Sequence, residues 1–131
     1  MINAINVPIQ EIEVNQNIPF AQNKLITGCS AVHEEGSSSF ILLKSGIYKV
    51  TFNTYLLTTA DSVATLNLTA NGDTIPSAQA RITTAANNYY NFTITTLVRV
   101  FGNNSVRVAV VNNSLTPVSV GNSNMIIERL C

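Results

Sequence analysis

His33 stands beside Glu34 and Glu35, and the chain has no other histidine. A nucleophile–imidazole–carboxylate catalyst would have to be built on this tripeptide, with a hydroxyl or thiol brought from elsewhere. The run His33-Glu34-Glu35-Gly36-Ser37-Ser38 reads as a polar loop, and the expected role of His33 is a member of a solvated surface cluster. Cys29 and Cys131 lie far apart and, with a single histidine, form no zinc-ligand spacing. Glu11 and Glu13 share one face of an extended segment. They could hold a cation, but such charges more commonly blunt a sheet edge against aggregation. Asp61 and Asp73 are single turn acids without the Asp-x-Asp spacing of a calcium loop. Gly102 and Gly121 stand alone, so no phosphate loop is present. The chain therefore reads as a non-enzyme without catalytic residues, metal or cofactor.

Composition narrows the partners. Seven basic residues balance seven acidic ones over 131 residues, and only 11% of the chain is charged. Lys24, Lys44, Lys49, Arg81, Arg99, Arg107 and Arg129 are scattered. Nucleic-acid binding requires basic residues clustered on one face, so it is excluded as an expectation. No apolar run approaches the roughly 20 residues of a membrane span. The opening MINAINVPIQEIEVNQ lacks the basic start and apolar stretch of a secretory leader, which leads to expectations of cytosolic synthesis and free thiols. Sequons begin at Asn67, Asn91, Asn103 and Asn112; in so Asn- and Thr-rich a chain they are assigned no function. With 46% hydrophobic residues and a formal net charge of zero, part of the surface is expected to be covered by copies of the chain or by a partner.

The elements that must position these residues are strands. In Phe40–Leu57 an apolar run meets Lys44-Ser45-Gly46, and Tyr48, Val50, Phe52 and Leu56 then alternate with Lys49, Thr51, Asn53 and Tyr55. That period of two predicts a long half-buried strand. A second runs through Tyr89–Phe101, with Phe92, Ile94, Thr96, Val98 and Val100 on one side. Val63–Ala70 alternates up to Asn71-Gly72, a strong hairpin signal, and Pro76 marks the returning strand as an edge or a bulge. Shorter strands are expected at Ile9–Val14, Leu25–Thr27, Ala31–His33, Ser39–Leu43, Ser105–Val111 and Met125–Leu130. No segment sustains a helical period. The prediction is an all-β, ten-stranded antiparallel sandwich, with an N-terminal arm or first strand over 1–16 and the main domain over 17–131.

The order of motifs resembles the tumour-necrosis-factor-like jelly roll, known from that cytokine and from the globular head of complement component 1, subcomponent q. The carrying residues are Phe40, Lys44-Ser-Gly-Ile-Tyr48-Lys-Val-Thr-Phe52, Leu66-Asn-Leu-Thr-Ala-Asn71-Gly72, Phe92–Val100, Ser105–Val111 and Asn122–Leu130. The likeness covers about residues 17 to 131, and Gly46–Phe52 is its most specific element. Two features depart from the complement-type pattern. Its Gly-Asp turn is here Phe101-Gly-Asn-Asn104, and its calcium-binding acids have no counterpart.

The resemblance implies a homotrimer. Tyr55, Leu57 and Leu97 fall on a strand face that a monomer would leave wet, which points the same way. The expected interface comprises Lys49, Tyr55, Leu57, Leu97, Arg99, Ile126, Glu128 and Leu130, with Lys49, Arg99 and Glu128 paired near the axis. The expected role is structural or adhesive, in a bacteriophage virion: a capsid decoration trimer or a fibre head. Partners are then further copies of the chain and other virion proteins, and the first fifteen residues are held by a capsid surface or neighbouring subunit. The alternative is a bacterial surface or spore-coat trimer, or a glycan-binding module. Ligands would then meet the loop residues Asp61, Asp73, Asn87, Asn88 and Asn113.

Overall fold

The computed structural model describes residues 1–131 and contains strands and turns without a helix. The chain forms β1 (Ile2–Asn6), β2 (Gln10–Ile12), β3 (Gln22–Ile26), β4 (Ala31–Val32), β5 (Phe40–Leu42) and β6 (Gly46–Leu57). It continues through β7 (Ser62–Ala70), β8 (Asp73–Thr84), β9 (Tyr89–Val100), β10 (Val106–Asn112) and β11 (Val118–Arg129). One sheet has the order β3-β1-β11-β6-β9, with β2 also on β11; the other has the order β4-β5-β10-β7-β8. Every pairing within the two sheets is antiparallel. This is a jelly-roll sandwich with eleven strands, one more than the sequence predicts.

Alternation does the folding. Along β6, Tyr48, Val50, Phe52, Thr54 and Leu56 are buried, while the residues between them face out. β9 does the same with Phe92, Ile94, Val98 and Val100. Phe20 sits edge-on to Phe40 and Phe52, at ring-centroid distances of 5.3 and 6.1 Å, a favoured geometry for buried aromatics. Buried Tyr48 keeps its hydroxyl satisfied by donating to the carbonyls of Lys44 and Ser30, which clamps the turn before β6. Gly46 closes that turn at φ +142°, where an added Cβ would overlap the Cys131 carbonyl.

Three sequence expectations change. The first fifteen residues are held by the chain itself: β1 lies between β3 and β11, with Ile2 and Ala4 fully buried. The last strand starts at Val118, well before Met125, because Gly121 is a bulge within it rather than a break. His33 is 6% exposed, not at the surface. It stacks on Phe40 at 4.1 Å, and its ring nitrogens meet the Asn23 Oδ1 and the Ser37 carbonyl. Two apolar rings supply the burial, so a loop that reads as polar folds its histidine inward.

Candidate functional site

The outer face of the first sheet gathers the residues singled out for association. Antiparallel register turns it into rows that cross the strands. At one end Leu57 is opposite both Tyr89 and Ser119. Next, Tyr55 lies between Asn91 and Gly121. Its ring covers Gly121, where a Cβ would collide with it, and meets Tyr89 edge-on at 5.3 Å. A polar row follows, Asn124-Asn53-Thr93, and then a mixed one, Ile126-Thr51-Thr95. At the far end Lys49 is opposite Glu128 and Leu97.

The two middle rows are stitched within the chain. Thr93 Oγ1 donates to Asn53 Oδ1 at 2.9 Å, and Asn124 Nδ2 donates to Asn3 Oδ1. Thr95 and Thr51 hydroxyls meet at 3.5 Å. Large apolar groups flank them: Leu97 is 59% exposed and Tyr89 64%. Both stand on β9, an edge strand of this sheet. Of the eight residues expected here, seven lie on this face. Leu130 lies beyond β11, half exposed, and its amide donates to the Ile47 carbonyl. Arg99 sits over the Phe101 ring at 4.7 Å, a cation–π contact at the end of β9. Tyr89 was missed by sequence reasoning, although its odd-numbered parity with Asn91 and Leu97 places it on this face.

The five loop residues do not converge on one site. Asp61 Oδ1 accepts from the Ala86 amide, which draws it toward Asn87 and Asn88 in the turn before β9. Asp61 also lines a cleft of about 260 Å³ with Glu11, Thr58, Ser62 and Thr116. Asn113 lines a different cleft, on the second sheet, with Thr69, Arg107 and Val111. Asp73 opens β8 beside the Asn71-Gly72 turn. No cluster of three or more His, Cys, Asp or Glu side chains could hold a metal ion. Just after β2, Glu13 has a raised pKa, chiefly through a hydrogen bond with Glu11, then through desolvation and the repulsion of that second carboxylate.

Two of the four sequons are closed to modification. Asn67 and Asn112 are 2% and 0% exposed, and Asn112 Nδ2 bonds the carbonyls of Ile12, Glu13 and Thr116.

No protein-family model matches the chain, and no curated protein does. Solved structures do. The chain is similar to Eiger TNF from S. frugiperda, at 12% identity and a TM-score of 0.71, covering 100% of this chain and 92% of that one. The globular domain of zebrafish complement 1qA matches at 8% identity and a TM-score of 0.63, covering 95% and 94%. The PRD1 vertex protein P5 matches at 12% identity and a TM-score of 0.56, covering 99% and 96%. The fold is that of the TNF- and C1q-like jelly rolls.

Proposed function

We propose that this protein is a non-enzymatic, self-associating building block: a homotrimer that buries the outer face of its first sheet. The observation that carries the reading is that face itself, where Leu57, Tyr55 and Tyr89 lie to one side, and Ile126 and Leu97 to the other, of an Asn124-Asn53-Thr93 row that is hydrogen-bonded within the chain only in part. Lone exposed apolar residues need no explanation, but here exposed Tyr89 and Leu97 share one face with half-buried Tyr55, Leu57 and Ile126, which favours a protein partner. Closed cyclic association of identical copies is the commonest way to cover such a face without forming open fibres. The charged group at one end, Lys49, Glu128 and Arg99, then lies near the axis, where opposite charges on neighbouring copies can pair.

Within that reading the chain serves in a bacteriophage virion, as a decoration trimer on the capsid or as a fibre head. The similarity to a phage vertex protein, PRD1 P5, is in keeping with a place in a particle. The test is to purify particles and whole cells from the source and to quantify the chain in each by mass spectrometry. The virion reading predicts a fixed copy number per particle, divisible by three. Absence from particles and enrichment on cell or spore envelopes would overturn it in favour of a surface trimer.

A further inference from the structure

An apolar face can slide against a copy of itself, so something must set the register of the assembly. Asn53 and Asn124 are side by side on β6 and β11 as cross-strand partners on the outer face. Each amide is committed at one end only. Asn53 Oδ1 accepts from Thr93, and Asn124 Nδ2 donates to Asn3. What remains is a free donor, Asn53 Nδ2, next to a free acceptor, Asn124 Oδ1, in a single row. Both side chains are half-buried and flanked by Tyr55 on one side and Ile126 on the other. With Thr93 donating to Asn53 and Asn3 accepting from Asn124, the two amides turn opposite ends outward, one a donor and the other an acceptor.

We infer that Asn53 of one copy donates to Asn124 of the next, once per interface, and that this contact sets the register of the trimer. The inference rests on the homotrimer proposed above and names the contact that specifies it. A head-to-tail interface is heterologous: a given residue meets a different residue on its neighbour. A donor and an acceptor adjacent on one subunit suit that arrangement, since every copy offers one of each and the ring closes with none left over. Sliding the face by one row toward Tyr55 would set both groups against an apolar ring, buried without partners, which is costly. A polar pair of this kind selects one arrangement at some expense of stability, as a single asparagine does in a helical zipper.

The experiment uses the full chain as wild type, Asn53→Val, Asn124→Leu and the double variant. Each single variant is expected to dissociate roughly tenfold more readily than wild type, because it strands one buried polar group per interface. The double variant is expected to dissociate no more readily than either single variant. Coupling within one subunit would give the same pattern, so the two single variants are also co-expressed. Their subunits differ in mass by one methylene group, and native mass spectrometry resolves the mixed trimers. In a mixed trimer an Asn124→Leu subunit still offers Asn53 to the intact Asn124 of an Asn53→Val neighbour. Mixed trimers should therefore exceed the share that random assortment gives. Random assortment, or a double variant carrying the summed penalty of both singles, would overturn the inference. A wild-type protein that stays single-chained would instead overturn the homotrimer, a separate and recognisable result.

Discussion

Gly121 shows how one side chain fewer shapes the outer face of the first sheet. The Tyr55 ring lies where a Cβ on Gly121 would be, so Gly121→Ala must lift the ring off β11. The expected cost is about 1–3 kcal/mol, seen as a lower denaturant midpoint, with Tyr55 turned further toward solvent. An unchanged midpoint would mean that the ring is not seated there. Glu13 gives a pH-dependent counterpart. Its pKa is raised by the hydrogen bond to Glu11, by desolvation and by charge repulsion, so the folded chain holds this proton more tightly than the unfolded one. Its contribution is present at low pH and is lost as pH rises through the raised value. Carboxyl-carbon NMR should place the Glu13 midpoint above the usual glutamate range, and Glu11→Gln should bring it back down. A midpoint unmoved by that substitution would rule out Glu11 as the cause. His33 is the residue whose place was least legible in the sequence. Its neighbours Glu34 and Glu35 announce a loop, whereas its burial depends on Phe20 and Phe40, which only the folded sandwich brings to it.

Among the elements, the long strands were legible because each carries a period of two through twelve residues with β-branched and aromatic side chains. The hairpin after β7 was legible for a local reason: Asn71 and Gly72 both adopt positive φ, 53° and 88°. Asn71 also ties the turn to β10, exchanging hydrogen bonds with the Arg107 backbone. Gly72→Val should cost about 1–2 kcal/mol, because a β-branched side chain resists the left-handed region. Thermal unfolding measures it, and no loss of stability would contradict the assigned turn. β1 was hidden because Ile2-Asn3-Ala4-Ile5-Asn6 mixes apolar residues onto both faces and relies on Asn and Ala, poor strand formers alone. It is a strand because β11 and β3 flank it, information absent from its own five residues. The early part of β11 was hidden likewise, since Gly121-Asn122 looks like a turn and is a bulge, with Asn122 at φ 48°.

At the scale of the molecule, the accessible surface is 6756 Å². Scaling for a compact chain of this mass gives about 6,700 Å², so the sandwich closes on itself with no excess area. Association must therefore be argued from the chemistry of the surface, and the sequence exposed half of that argument. Parity placed Tyr55, Leu57 and Leu97 together, but the rows that order the face into an apolar end, a polar middle and a charged end beside Leu97 needed the strand register. Leu97→Asp is expected to abolish self-association and to leave the fold intact, because a side chain 59% exposed contributes little to the core. Circular dichroism like that of the wild type, with a smaller hydrodynamic size, is the predicted outcome. Unfolding of the variant would show that Leu97 supports the subunit rather than its contact. The most direct measurement is the mass of the wild-type protein in solution, by sedimentation equilibrium across the micromolar range. Three times the 14.1 kDa of one chain is the value predicted; a mass of one chain at every concentration would contradict it.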